Sequence, residues 1–257
     1  MIYESKVAAV VARIALVTGF LLSASFTSAA PGWTIPQGVK TVEVSGYPIS
    51  YIESGTGVAV VMLHGAWVDH RFLSPQVAEF SKTYRAIAPS LRHYYPEPWD
   101  GKDGAFSVTQ HAADVAVMIR QVEGSAKLAV FLRSSMDGGD RRATAQTAWN
   151  TATGAGAWER MPPEMQQVIA DNIGTMTTKT PYDAPVIGCD DIRKFNFPTM
   201  ILHGERSQKI YSDMSAAMRQ CKSDLAEATI VPNSSHNMHY DNPTFFNKAV
   251  LDFMQRN

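Results

Sequence analysis

Residues Val58–Leu63 read VAVVML, an apolar run with no polar residue inside it. A strand wetted on one side alternates in character, so an unbroken run this short marks a strand covered on both faces. Lys127–Leu132 (KLAVFL) carries the same signal after its first residue. Tyr84–Ala88, closed by Pro89, and Pro198–Leu202 are shorter versions, and Thr229–Val231 is a last strand. Helical patterns lie between them. Ser107 stands as an N-cap before Val108, Ala112, Val115, Ile119 and Val122, which end at Gly124. Ala145, Ala148, Trp149 and Ala152 form a weak stripe. Met165, Val168, Ile169 and Ile173 form a stronger one, opened by Pro162-Pro163 and closed by Gly174. Phe245, Phe246, Ala249, Val250 and Phe253 give the C-terminal helix an apolar face. A hairpin, Thr41–Val44 and Ile49–Glu53 around Ser45-Gly46-Tyr47-Pro48, opens the series. Strands alternating with helices predict a mostly parallel, doubly wound α/β sheet whose working groups sit on loops at the strands' carboxyl ends.

The first 29 residues are set apart from this fold. Lys6 and Arg13 precede the apolar stretch Ile14–Ala24, and small residues follow at Ser25–Ala30, the order of a secretory signal peptide cut after Thr27-Ser28-Ala29. The competing reading is an uncleaved anchor over Val7–Phe26. It would bury Arg13, at about 2.5–3.5 kcal/mol on insertion scales. Export to a periplasmic or extracellular compartment is the expectation, with membrane contact only if the segment stays uncleaved. Residues 30–257 then form a single domain. With 23 basic and 24 acidic residues the chain has no electrostatic footprint for nucleic acid. Cys189 and Cys221 cannot build a disulfide scaffold or a four-thiolate zinc site. They lie 32 positions apart, and in an oxidising compartment they either bridge or stay as separate buried thiols.

Three segments carry a resemblance to a known family. Val58–Arg71 (VAVVMLHGAWVDHR), Pro198–Ser207 (PTMILHGERS) and Val231–Pro243 (VPNSSHNMHYDNP) resemble, in this order, the oxyanion loop, the strand before the acid loop and the histidine loop of the α/β-hydrolases. The resemblance covers nearly all of Thr41–Met254 except its middle. It implies that the Ala66 backbone N–H donates into an oxyanion hole and that His236 is the general base. It also implies a small helical cap, here residues 140–190. Asp69-His70-Arg71 and His93–Trp99 would rim the cleft, or else serve only to cap helices and loops. His239 and Asp241 lack a third firm ligand for a metal, and neither metal nor cofactor is expected.

The middle departs from the family. No Gly-x-Ser-x-Gly occurs, and after Leu132 stands Arg133-Ser134-Ser135-Met136-Asp137-Gly138-Gly139. Either Ser135 is the nucleophile of a worn elbow, or the elbow has been lost. The 65 residues from Arg133 to Phe197 hold helical patterns and no strand-like run, since Ala184-Pro185-Val186-Ile187 is broken by proline. The expected sheet is therefore contracted, with strand six absent and the Lys127 strand paired directly to the Pro198 strand. The family's acid position holds Ser207, leaving Glu205, with Asp213 nearby, as candidate acid partner. Two functions follow: an esterase-like hydrolase of small apolar esters or acyl compounds, or a non-catalytic protein binding a ligand or partner in the old cleft. A third reading is a truncated relative that folds poorly.

Overall fold

A computed structural model describes residues 38–97, 107–122, 126–129, 146, 149–150, 155–176 and 187–257. The N-terminal segment through residue 37, the Arg133–Gly139 stretch, and Pro98 and Trp99 lie outside the described residues.

The hairpin forms with a tighter turn than read: β1 is Lys40–Val44 and β2 is Tyr47–Ser54 in antiparallel register, Val44 opposite Tyr47, so Tyr47 and Pro48 belong to the strand. Ser45 and Gly46 both have positive φ, 51° and 77°, the two-residue turn whose twist matches its strands. β3 (Ala59–Met62) lies between β4 (Arg85–Pro89) and β5 (Ala126–Ala129), parallel to both. The sheet order is β1-β2-β4-β3-β5. Alternate residues of β3 enter different cores. Val60 and Met62 pack with Leu73, Phe80, Phe246 and Val250, whereas Ala59 and Val61 pack with Ile49, Ile87, Val115 and Met118. One run of valines thus serves two helical layers, which is why it carries no polar residue.

The first layer is α1 (Ser74–Phe80), preceded by a 3₁₀ turn at His70–Leu73, and the C-terminal α7 (Pro243–Arg256). The second is α2 (Val108–Val122), capped by Ser107 Oγ accepting Gln110 N–H at 3.0 Å. Its buried face is His111, Asp114, Val115 and Met118, while Ala112 is exposed, so the helix is turned from the orientation its apolar stripe predicts. The cause is a charge pair. Arg92 Nε and Nη2 donate to Asp114 Oδ2 and Oδ1 at 2.8 and 3.0 Å, and both residues are buried. A buried carboxylate held by a bidentate guanidinium must face inward, and it outweighs the smaller apolar side chains.

β6 (Leu202–Gly204) and β7 (Thr229–Val231) form a separate parallel pair. One expectation is corrected here: the strand begins at Leu202 rather than at Pro198. No ladder joins β5 to β6 among the described residues, and Val130, Phe131 and Leu132 of the expected strand lie outside them. Pro198 has no N–H for a ladder, and among the described residues β6 ladders with β7, with Thr229 N–H reaching back to Ile201 C=O at 2.8 Å. Val231 of β7 still joins the Val60–Met62 core. Among the described residues no strand lies between β5 and β6, and that part of the chain holds α3 (Pro163–Asp171), a 3₁₀ turn at Ile173–Met176 and α4 (Cys189–Arg193). α5 (Lys209–Cys221) and α6 (Met238–Asp241) follow. None of the described helices is long and apolar enough to cross a membrane.

Cys189 and Cys221 are bridged, with their Cα atoms 4.8 Å apart, tying the start of α4 to the end of α5. A cross-link over this separation restricts the unfolded chain by about 3–4 kcal/mol in the loop-entropy treatment. Urea denaturation of Cys189→Ser/Cys221→Ser should show about that loss, with reductant reproducing it in the native chain. An unchanged midpoint would mean that the bridge contributes nothing.

Candidate active site

The loop after β3 is tied down at each chemically distinctive residue. His64 is buried, its Nε2 accepting Leu91 N–H at 2.9 Å and its Nδ1 2.7 Å from the Gly65 carbonyl. This pattern requires the neutral ring with its proton on Nδ1. Burial pushes the His64 pKa down from 6.5 to about 4. His70 Nδ1 lies 2.6 Å from Ser90 Oγ, so two imidazoles fasten this loop to the one after β4. Trp67, at φ 68°, drives its indole into a cluster with Phe72, Trp149, Trp158, Val168 and Ile169. Ala66, half-buried, stands in the turn between these anchors and packs against the same cluster.

Asp69 is the hub. It has no exposed surface, and it caps the 3₁₀ turn by accepting Arg71 N–H at 2.8 Å. It also takes Arg71 Nε and Nη2 at 2.9 and 2.7 Å, and Asn172 Nδ2 at 2.6 Å. Asn172 follows α3, and its Oδ1 accepts Tyr95 N–H at 2.8 Å. Arg71 Nη2 donates onward to Asp171 at 2.8 Å, and its guanidinium carbon lies 3.5 Å above the centre of the Tyr95 ring. Of the two sequence readings of Asp69-His70-Arg71, these contacts show the capping one. The carboxylate caps its own turn and at the same time clamps the helical segment and the aromatic loop.

His236 lies on the loop after β7. Ser234, Ser235, Asn237 and Met238 are buried, and His236 between them is only half-buried. Asp241 holds the loop by accepting Ser235 N–H and Oγ–H, both at 2.6 Å. Gly204 at the end of β6 is required by this arrangement, because a Cβ there would run into the Ser234 and Ser235 carbonyl oxygens. Arg206 N–H donates to Ser234 C=O at 2.8 Å across the same contact. The His236 ring stacks on Tyr211 of α5, centroids 4.2 Å apart and planes inclined by 18°.

The remaining expected residues are placed as follows. Glu205 is exposed and its carboxylate accepts Asn233 N–H at 2.8 Å, bracing the histidine loop from below. Asp213 pairs with Lys209 on the surface of α5. His239 sits edge-on to Phe72 at 4.8 Å, and burial pushes its pKa to about 4, while Asp241 is engaged with Ser235. Ser207 Oγ is buried with no hydrogen-bond partner among the described residues. Ser135 lies outside the described residues. Tyr211, Asp171 and Asn172 had no signal in the sequence, since each acts through a partner distant along the chain.

The buried imidazoles make stability depend on pH. Burial also pushes His111 down to about 4. The unfolded chain takes up protons near pH 6.5 whereas the folded chain holds these rings neutral to about pH 4. Their stabilisation is complete above pH 6.5 and is lost as pH falls toward 4, at about 1.4 kcal/mol per unit for each ring. Urea unfolding at successive pH values should show this steep decline. A flat profile over the window would contradict the neutral assignment.

No protein-family model and no curated protein sequence matches the chain. Solved structures do. Carboxylesterase CesB (YbfK) from Bacillus subtilis superposes with a TM-score of 0.68 at 14% identity, over 88% of this chain and 94% of that one. A serine hydrolase involved in carbazole degradation, the CarC enzyme, gives 0.68 at 15%, over 85% and 99%. The enol-lactonase from Burkholderia xenovorans LB400 gives 0.60 at 16%, over 84% and 100%. The layered sheet, the loop after β3 and these superpositions agree: the chain has the α/β-hydrolase fold, in a contracted form.

Proposed function

We propose that the protein is an exported, esterase-like hydrolase of small acyl substrates. The observation that carries the reading is the histidine loop, which buries its neighbours, is braced by Asp241 and Glu205, and leaves His236 half-buried between them. The reading gives His236 the role of general base, taking the proton of Ser135 Oγ as that oxygen attacks the acyl carbon. The tetrahedral oxyanion is met by the Ala66 N–H, on a loop that His64, His70 and Asp69 keep from reorganising. His236 then returns the proton to the leaving alcohol, and water releases the acyl group by the same steps reversed. Structural neighbours that are a carboxylesterase and an enol-lactonase support acyl transfer as the reaction class. The Cys189–Cys221 bridge supports export, because such bridges persist in oxidising compartments.

A second reading, a non-catalytic ligand- or partner-binding protein, is favoured by one observation. Arg133 replaces the leading glycine of the elbow, and Asp137 separates Ser135-Met136 from Gly138-Gly139.

A serine-reactive fluorophosphonate probe separates the two. The first reading expects a single label on Ser135, abolished in Ser135→Ala and slowed on the order of 10³-fold in His236→Gln. Ser207→Asp, which restores a carboxylate at the family's acid position, should speed it. No label on a folded chain, together with thermal stabilisation by an ester or lipid without turnover, would replace the first reading with the second.

A further inference from the structure

Several charged groups on the elements that carry and flank His236 have partners of their own among the described residues. Glu205 accepts Asn233 N–H, and Arg206 Nη2 donates to the Asn233 carbonyl at 2.6 Å. Lys209 pairs with Asp213, and Asp241 holds Ser235. His239 faces Phe72 and Phe246. What covers a face of the His236 ring is the Tyr211 ring, near-parallel at 4.2 Å. Tyr211 is in the first turn of α5, where its N–H donates to Gln208 C=O, and the far end of that helix is pinned to α4 by the disulfide.

We infer that Tyr211 is a positioning residue for His236, holding the imidazole by its face and favouring the imidazolium. The inference rests on the reading of His236 as the general base, and it adds a group that the α/β-hydrolase resemblance does not supply. Two physical effects act together. A parallel aromatic contact removes the ring's freedom to turn about its side-chain bonds, so the base is presented in one orientation. The negative face of the phenol ring attracts the cation that forms when His236 takes a proton, and partial burial strengthens that attraction. The positive end of the α5 dipole acts in the opposite sense, disfavouring a cation beside its first turn. The stack opposes that bias. The phenol hydroxyl has no part in either effect, so phenylalanine serves as well as tyrosine.

The test is an NMR titration of isotope-labelled histidine in the full chain, with the His236 signal assigned by its loss in His236→Asn. Tyr211→Leu should lower the His236 pKa by about half a pH unit. Tyr211→Phe should leave it unchanged. Equal titration in the native chain and Tyr211→Leu would overturn the inference, as would an equal shift in Leu and Phe, which would assign the effect to the hydroxyl. Should Tyr211→Leu fail to fold, Tyr211→Trp takes its place, with an unchanged or raised pKa expected and a lowered one contradicting the stack. The titration needs no turnover. Absence of fluorophosphonate labelling would defeat the hydrolase reading and with it the catalytic use of the stack, leaving the physical effect of Tyr211 on the ring to the titration, whereas a pKa indifferent to Tyr211 defeats this inference and leaves the hydrolase reading standing. If turnover is present, Tyr211→Leu should reduce kcat with KM unchanged, and its acid limb should move with the titration.

Discussion

A carboxylate with no contact with water must have every lone pair answered, and Asp69 meets that demand from two separate parts of the chain. Its own turn supplies the Arg71 amide and guanidinium, and the end of α3 supplies the Asn172 amide. Burying such a group is unfavourable unless the pairing is complete, so the loop after β3 can take its place only when α3 is docked. The cluster of Trp67, Phe72, Trp149 and Trp158 forms under the same condition and adds the apolar driving force. The polar hub sets the register of this contact, and the aromatic residues give it most of its strength.

The rest of the site inherits that order. With Asp69 fixed, His64 and His70 reach the loop after β4, and Ala66 is left in a turn that cannot drift. On the other side the approach of Gly204 to the Ser234 and Ser235 carbonyls, together with Asp241, sets the histidine loop. Both loops leave the carboxyl ends of parallel strands, where an α/β sheet places its chemistry. Rigidity is the shared theme. Donors and bases act best where nothing must move as charge develops.

How far the sequence foretells this depends on the range of the interaction. The unbroken VAVVML run announces a strand covered on both sides, and β3 feeds separate cores through alternate residues. Ser107 caps α2 as a local side-chain bond. The orientation of α2 escapes the apolar stripe because Asp114 answers to Arg92, on a different element. Asn172 and Tyr211 are ordinary polar and aromatic residues until folding brings them to Asp69 and His236. The Pro198 strand is drawn too long at its start because proline has no N–H to give to a ladder. In the candidate site, the loops after β3 and β7 are where the sequence resembles family motifs, whereas what orients them is tertiary.

The most direct test of the clamp is a double-mutant cycle between Asp69 and Asn172, read by urea denaturation at neutral pH. The account predicts that Asp69→Ala and Asn172→Ala each destabilise by about 2–4 kcal/mol, with a coupling energy above about 1 kcal/mol. Effects that add to within about 0.3–0.5 kcal/mol would show that the two residues act independently. The docking of α3 would then not be what fixes the loop.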